Sequence, residues 1–318
     1  MTAQRIALDV HAHLIPVGAP LASVPGVSWD AANEKLVIDG HPIGIKALFH
    51  PEALIAWMDE QSVERAWISA PPPTYRPGLD AAQAEAWTRL LNDGLAAIAA
   101  AHPDRLAPLF HLPVAHPELA ARIVRERATA TEARFSMPTG EPGLMLSDAN
   151  YAPLWQALDA ASAFVFLHPG EGCDGRLDPF YLHNLLGNPS ETAVATGHLV
   201  FAGVLERHPR ITICLAHAGG TVPALAGRWQ RGFATGRPGV DKQVEAPAQA
   251  LRRFCVDCIA HDDTLLDLAA SVFGPERVVF GSDWPFPMGV IKPHEQLAGL
   301  SESRRRAIFC DNPAKLTA

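Results

Sequence analysis

Several features that assign a protein to a membrane, to secretion or to nucleic acid are missing from this sequence of 318 residues. No run of 18 or more uninterrupted apolar residues occurs, so we expect no segment that spans a bilayer. The first residues lack the basic start and apolar core of a signal peptide, which favours a cytoplasmic location. The net charge is −8, and an acidic chain gives no electrostatic support for binding nucleic acid or an anionic membrane.

Internal repeats and low-complexity linkers are also absent, and 48% of the residues are hydrophobic. A chain of this length and composition can bury one large core. We therefore predict a single domain over residues 1–318.

The cysteines do not form a recognisable disulfide or metal framework. They number five, an odd count, and are widely spaced, so a set of disulfides is not expected. Cys255 and Cys258 form a C-x-x-C pair within an apolar run that is typical of a strand. Side chains three apart on a strand face opposite sides. We therefore expect two buried packing residues rather than a metal or redox motif.

Strand-like apolar runs alternate with amphipathic stretches rich in alanine and leucine, a pattern typical of βα units around a parallel sheet. The candidate strands number eight, which predicts a (β/α)₈ TIM barrel, and they cover residues 6–10, 65–70, 106–111, 133–137, 164–168, 211–216, 253–259 and 277–282.

An insertion of about 17–50 follows the first candidate strand and breaks this alternation. It contains a predicted hairpin at 35–43 around the dipeptide Asp39-Gly40, which is typical of a tight turn. Loops that follow barrel strands leave from the rim that carries the active site. We therefore expect the insertion to cover the site as a lid.

Histidine and aspartate end four of the apolar runs. His11 and His13 form an H-x-H pair at the first, and two residues apart on a strand they face the same side, where both imidazoles can bind one metal. His168 and His217 end two later runs, and Asp283 ends the last. An isolated H-x-H pair could be two surface histidines. The repetition at strand ends instead predicts one shared site at the carboxyl rim of the barrel.

The motifs around these residues resemble those of a known family. The segment 9–16 is similar to the opening signature of the amidohydrolase superfamily. The later motifs resemble its aminocarboxymuconate-semialdehyde decarboxylase-like branch, also called the amidohydrolase 2 family, and they are His168-Pro169-Gly170, Asn188-Pro189-Ser190-Glu191-Thr192, His217-Ala218-Gly219-Gly220, Gly281-Ser282-Asp283-Trp284-Pro285 and Asp311-Asn312-Pro313-Ala314. The resemblance extends over nearly the whole chain.

The resemblance implies one divalent ion with four ligands, His11, His13, His168 and Asp283. Three imidazoles and a carboxylate suit Zn²⁺ best, and Mn²⁺ also fits this set. No lysine ends the strand predicted at 133–137, so a carboxylated lysine that bridges two metals is not expected there. The predicted site is mononuclear.

His217 has two interpretations under the resemblance. It is either a further metal ligand or, as the branch favours, a general acid/base beside the metal. Gly219 and Gly220 would leave room for a substrate next to it. A core histidine bonded to backbone is the structural alternative.

The resemblance also implies a reaction, the non-oxidative decarboxylation of a small unsaturated or aromatic carboxylic acid. In that reaction His217 moves the proton and Asp283 assists. A hydrolase of a small ester, lactone or amide would use the same groups, with Asp283 relaying the proton of a metal-activated water, and the residues do not exclude it. A barrel that binds metal without turnover is the non-enzymatic alternative, and the presence of all five groups argues against it.

Departures from the family pattern bear on the substrate and the assembly. Relatives that act on the semialdehyde have an arginine just before the stretch that matches 49–53, and residues 44–48 contain none. The dipeptide Phe180-Tyr181 lies where those relatives have a tryptophan, and we expect Phe180 to contact the substrate together with Trp284. Arg228 matches an arginine that reaches a neighbouring subunit's site, which predicts a homodimer. Fewer cationic anchors favour a smaller, less charged acid such as a hydroxybenzoate.

Overall fold

The computed structural model describes residues 4–18, 21, 24–128, 133–140, 143–170 and 174–317; Cys173 lies outside this part of the chain. Its strands are β1 (Asp9–His13), β2 (Val27–Asp30), β3 (Lys35–Ile38), β4 (His41–Ile43), β5 (Ala66–Ser69), β6 (Leu106–Pro108), β7 (Phe110–His111), β8 (Arg134–Pro138), β9 (Phe164–His168), β10 (Thr212–Leu215) and β11 (Cys255–Val256).

Helices follow the strands in the alternation that the sequence predicts. They are α1 (Pro51–Gln61), α2 (Ala81–Ala101), α3 (Pro117–Arg127), α4 (Ala152–Ala160), α5 (Asn188–Phe201), α6 (Val204–Arg207), α7 (Val222–Ala234), α8 (Pro247–Ala250), α9 (Asp263–Phe273), α10 (Pro293–Gln296), α11 (Glu302–Arg306) and α12 (Asn312–Ala314). No helix in the described residues is both long enough and apolar enough to cross a membrane.

The barrel wall consists of two parallel sheets. One has the order β1-β5-β6 and the other has the order β11-β10-β9-β8-β7. β6 and β7 are two parts of the strand predicted at 106–111, divided at Leu109, whose N–H donates to the carbonyl of Ile68 (2.8 Å). The alternation and the parallel pairing confirm the predicted (β/α)₈ architecture.

The prediction of a regular strand over 277–282 is wrong, although the segment lies where it was expected in the barrel. The N–H of Val279 donates to the carbonyl of Val256 (2.9 Å), and that of Val10 donates to the carbonyl of Phe280 (3.0 Å). The segment therefore lies between β11 and β1, but no continuous ladder forms on either side. A left-handed backbone at Asp283 (φ 57°) ends its extended course.

Two other predicted strands differ by more than one residue at an end. The first begins at Asp9 rather than at residue 6, so it includes both His11 and His13. The strand predicted at 253–259 contracts to Cys255–Val256.

The buried apolar residues form two layers, as expected for a barrel surrounded by helices. The smaller layer lies inside the barrel and includes Phe164, Phe166, Cys214 and Cys255. The larger layer lies between the strands and the helices and includes Cys258. The two sulfurs of the C-x-x-C pair therefore lie on opposite sides of the wall, which confirms that they are packing residues.

The insertion after β1 contains the predicted hairpin. β3 and β4 pair in antiparallel fashion around Asp39 and Gly40, both left-handed (φ 49° and 84°), and β2 adds a third strand. Arg76, in the loop after β5, donates to both carboxylate oxygens of Asp39 (2.8 and 2.7 Å) and to the carbonyl of Pro25 (2.7 Å). These bonds attach the turn of the hairpin to the barrel.

Candidate active site

Five side chains with metal-binding or acid/base chemistry meet at the carboxyl end of the barrel. His11 and His13 come from β1 and His168 from the end of β9. His217 follows β10, and Asp283 follows the last barrel segment. The backbone is left-handed at both His217 (φ 56°) and Asp283 (φ 57°), an uncommon conformation outside glycine that often occurs at functional sites.

The reactive atoms of these residues lie within a few ångströms of one another. The Nε2 atoms of His11 and His13 are 3.0 Å apart, and they lie 3.3 and 3.2 Å from Asp283 Oδ1. His217 Nε2 lies 3.9 Å from Asp283 Oδ2. One ligand atom from each of His11, His168, His217 and Asp283 falls within 4.8 Å of the other three. His217 alone is notably accessible, with 21% of its side chain exposed.

Hydrogen bonds on the far side of three imidazoles, those of His11, His13 and His168, leave their Nε2 atoms directed at the centre of the cluster. His11 Nδ1 bonds to Asp257 Oδ2 (2.8 Å), and His13 Nδ1 bonds to Ser69 Oγ (3.0 Å). His168 Nδ1 lies 2.8 Å from the carbonyl of Pro169. A carbonyl only accepts, so His168 Nδ1 carries the proton and its Nε2 presents a lone pair. That Nε2 atom is buried and has no protein partner.

This arrangement fits a bound divalent cation. Lone pairs of several imidazoles and one carboxylate converge, and His11, His13 and His168 are each oriented by a hydrogen bond from behind, as is usual for metal-binding histidines. The Nδ1 atom of His217 is buried and has no such partner. His11, His13, His168, His217 and Asp283 are all placed to contribute, so the geometry does not separate His13 from His217 as a ligand.

Burial and neighbouring charges shift the pKa values of the cluster histidines in opposite directions. Burial lowers the pKa of His13, and burial together with the neighbouring histidines holds the pKa of His168 well below its usual range. Burial opposes a charged His11 as well, but the carboxylates of Asp283 and Asp257 outweigh it and raise the pKa to about 10. A divalent ion would supply the charge that the protein otherwise takes from one imidazolium.

Asp257 is a functional candidate that the sequence reasoning missed. Besides His11 Nδ1, its carboxylate accepts the N–H groups of His217 (3.0 Å), Ala218 (2.8 Å) and Ile259 (3.1 Å). It therefore orients one imidazole and fixes the left-handed turn that carries another. Its only sequence signal was its position after a short strand, inside the C-x-x-C pair.

A second buried aspartate joins the two ends of the barrel. Asp9 accepts from the hydroxyl (2.5 Å) and the N–H (3.0 Å) of Ser282 and from the N–H of His11 (3.0 Å). Gly281, the residue before Ser282, allows this close approach. A Cβ atom there would lie 2.8 Å from Asp257 Cβ and 2.9 Å from His11 Cβ.

The glycines after His217 do not leave room for a substrate, contrary to expectation. A Cβ at Gly219 would lie 2.8 Å from the ring of Phe273, and one at Gly220 would lie 2.4 Å from the carbonyl of Pro189. Protein atoms fill both spaces. The two glycines instead let the chain pass closely between α5 and α9.

The three residues expected to contact substrate differ in exposure. Arg228 is exposed on α7, and Phe180 is 87% exposed. Trp284 is 5% exposed and belongs to the core layer between strands and helices, while its carbonyl accepts from the N–H of His13 (2.8 Å). Their roles stay predictions.

The barrel and its cluster of histidines and aspartate are the features of a metal-dependent barrel enzyme. A family model described as amidohydrolase matches residues 8–316, and the chain belongs to this family.

Known proteins similar to this chain include two decarboxylases. The 2-amino-3-carboxymuconate-6-semialdehyde decarboxylase of Dictyostelium discoideum is 28% identical over 94% of this chain and 87% of its own length. The gamma-resorcylate decarboxylase of Rhodococcus jostii (strain RHA1) is 28% identical over 98% of each chain. Among solved structures, the 5-carboxyvanillate decarboxylase of Sphingomonas paucimobilis is 25% identical, with a TM-score of 0.75 over 83% of this chain and 81% of that one.

Proposed function

We propose that this protein is a metal-dependent non-oxidative decarboxylase of a small aromatic or unsaturated carboxylic acid. The observation that carries the proposal is the convergence of His11, His13, His168, His217 and Asp283 at the barrel mouth. The similarity to three decarboxylases of aromatic or muconate acids supports the reaction type. The single domain and the cytoplasmic location expected from the sequence are part of the same proposal.

We assign the divalent ion to His11, His13, His168 and Asp283, with Zn²⁺ as the first candidate and Mn²⁺ as the second. A bound ion would polarise an oxygen of the substrate and offset its negative charge. Asp257 and Ser69 keep the imidazoles of His11 and His13 in their orientation.

His217 is the candidate proton donor, because it is the most accessible member of the cluster and lies beside Asp283. Its Nε2 would deliver a proton to the carbon that bears the carboxylate. The electrons of the breaking C–C bond then return to the conjugated system, and CO₂ leaves. The balance is one proton consumed for each CO₂ released. Asp283 would assist by holding the His217 ring.

The exposure of Arg228 and Phe180 supports a homodimeric site. An apolar groove of about 670 Å³ lies between α5 and α7, and its lining includes Val194, Leu225 and Trp229. Leu185 and Leu186 next to α5 are also about half exposed. A second copy that covers this groove would bury its apolar surface and bring Arg228 towards a neighbouring barrel mouth, where its guanidinium could bind a substrate carboxylate. Phe180 and Trp284 complete the proposed contacts.

Metal analysis combined with a screen of carboxylic acids tests the function. We expect about one divalent ion per chain in the purified protein, and CO₂ release from at least one muconate or hydroxybenzoate acid that stops on chelation and returns with Zn²⁺ or Mn²⁺. A parallel screen of esters, lactones and amides tests the hydrolase alternative, which yields no CO₂. Full activity without metal, or hydrolysis without CO₂ release from any acid, would overturn the proposal.

A further inference from the structure

Four buried polar side chains lie in the barrel on the side that supplies no metal-binding candidate. We name them the polar wall, and they are Tyr75 after β5, His111 at the end of β7, Ser136 in β8 and Thr139 just after β8. Within the described residues, both ring nitrogens of His111 and Thr139 Oγ1 are buried without a protein hydrogen-bond partner, and Tyr75 Oη and Ser136 Oγ, also buried, interact only with each other. Buried polar atoms are nearly always satisfied in folded proteins, so this group requires an explanation.

The polar wall faces the candidate metal site. His111 and Ser136 are paired in the parallel ladder, and Ser136 is paired with Phe166, which belongs to the layer inside the barrel. The ring of Tyr75 stacks on that of His111, with centroids 5.2 Å apart and planes at 12°, and its centroid is 6.5 Å from that of His168. The four side chains therefore lie at the strand ends between β1 and β9, and Tyr75 is the member that lies beside His168.

The backbone that carries the wall is fixed from outside the barrel. The N–H of His111 donates to Asn92 Oδ1 (2.7 Å), and Asn92 Nδ2 donates to the carbonyl of His111 (3.1 Å). Asn92 belongs to α2 and is itself buried. His111 thus has a set position under the ring of Tyr75, although its own ring nitrogens have no partner.

The polar wall carries no charge at neutral pH. Burial lowers the pKa of His111 to about 4 and raises that of Tyr75 well above its usual value, so the imidazole is neutral and the phenol keeps its proton. The charge of Arg76, the cation adjacent in sequence, is balanced by Asp39, which accepts from Nε and Nη2, and only Nη1 has no protein partner. Neutral donors and acceptors suit a hydroxyl or carbonyl oxygen, whereas a second carboxylate would need a cation here.

We propose that the polar wall binds an uncharged oxygen substituent, such as a ring hydroxyl, of the acid held at the metal, with Tyr75 Oη as the direct contact. His111 is the positioning residue that holds the Tyr75 ring through its stacked face. The inference rests on the proposed function and adds the residues that select the substituent.

Ligand binding to the metal-loaded protein tests the proposal without depending on turnover. Calorimetry with benzoate and with those of 2-, 3- and 4-hydroxybenzoate that release no CO₂ gives the affinity ratio of hydroxylated to unsubstituted acid. We expect Tyr75→Phe to lower the highest ratio about 3- to 10-fold, the loss of one neutral hydrogen bond, with benzoate affinity and metal content unchanged. Ser136→Ala should lower it by a smaller factor. Ser271→Ala, which removes an exposed hydroxyl on α9, is the control matched to Ser136→Ala and should keep the wild-type ratio.

His111 needs a pair of variants that separates stacking from hydrogen bonding. His111→Ala removes the ring face beneath Tyr75 and should lower the ratio as Tyr75→Phe does, whereas His111→Phe restores a ring face and should recover most of the ratio. An affinity ratio that falls equally in His111→Ala and His111→Phe would overturn the positioning role of His111.

Wild-type protein that binds none of the four acids, or does not distinguish them, overturns the proposal, as does an unchanged ratio in both Tyr75→Phe and Ser136→Ala. Selective binding without CO₂ release from any acid would leave the polar wall in place and contradict only the decarboxylase assignment.

Discussion

At the scale of single residues, each candidate metal-binding imidazole is oriented by a different partner. Asp257 is a buried carboxylate, Ser69 is a hydroxyl, and the carbonyl of Pro169 is backbone. The carbonyl depends on no side chain, so substitution can test only the first two. Asp257 has the largest number of bonds to the site and is the most informative of these positions.

We expect Asp257→Asn to weaken metal affinity about 10- to 100-fold, because the substitution removes the negative charge behind His11 and one acceptor of the left-handed turn. Competition with a chromophoric chelator measures the affinity, and circular dichroism checks the fold. Asp262→Asn is the control, since that exposed carboxylate only caps α9. Equal affinity in the wild type and Asp257→Asn would assign Asp257 a purely structural role.

The two interpretations of His217 are separated by comparing metal content with rate. If His217 is the acid/base, His217→Ala retains the ion but loses about 10²- to 10⁴-fold in rate, the usual contribution of such a group. His13→Ala, which alters a neighbour in the same cluster, should lose both ion and activity. Loss of the ion in His217→Ala would make His217 a ligand instead.

At the scale of secondary-structure elements, a single buried arginine attaches the hairpin to the barrel. The side chain of Arg76 is 4% exposed, and its guanidinium lies over the ring of Trp87, with 5.1 Å from Cζ to the ring centroid. Asp39 at the hairpin turn is the carboxylate that balances its charge. The adjacent residue is Tyr75, so the hairpin and the polar wall depend on the same loop.

We expect Asp39→Asn to loosen the hairpin at 27–43 without unfolding the barrel. Amide exchange there should become roughly 5- to 10-fold faster, equivalent to about 1 kcal/mol, because Arg76 loses its charged partner. Arg76 holds the pKa of Asp39 below its usual value, so the stabilisation is present at neutral pH and is lost as the pH falls through that lowered pKa.

Glu34→Gln is the matched control for the hairpin, because Glu34 contacts only the exposed side chains of Lys46 and His50 among the ion pairs of the described residues, and such exposed pairs contribute little. Mass-spectrometric hydrogen exchange at pH 7 measures all three proteins. Hairpin exchange that is identical in Asp39→Asn and the wild type would show that Arg76 does not hold this element.

How well the sequence predicts the structure differs from element to element. The hairpin was predictable because the dipeptide Asp39-Gly40 forms a tight turn by itself. β9 was predictable because its residues are all apolar up to His168, which ends the strand. The last barrel segment was not, since its course depends on Asp9 and Asp257, which are distant in sequence. Asp257 was missed for the same reason: no local pattern shows which imidazole a buried carboxylate faces.

At the scale of the whole molecule, the proposed dimer would explain why two side chains expected at the site are exposed in the single chain. Phe180 and Arg228 were expected at the site, yet both are exposed. The apolar groove between α5 and α7 offers a contact surface on the same helix as Arg228. Assembly would therefore contribute to the active site as well as to stability.

We expect Val194→Glu to convert the proposed dimer into a monomer. A second copy that covers the apolar groove would have to bury the introduced carboxylate, which is costly without a charged partner. Leu268→Glu places the same charge on α9, where Leu268 is similarly exposed, and should remain dimeric. Sedimentation velocity at micromolar concentration distinguishes the two. A monomeric wild type with full activity, or a dimeric Val194→Glu, would contradict the shared interface.

The hydrogen bonds between β1 and the last barrel segment have a consequence for biosynthesis. The N–H of Asp283 donates to the carbonyl of His11 (2.7 Å), so groups from opposite ends of the described chain meet at the site. During translation His11 and His13 leave the ribosome early, but their carboxylate partner emerges only after most of the chain has been made. The full set of proposed ligands would therefore form late, and metal uptake by the nascent protein would wait until the last barrel segment is in place.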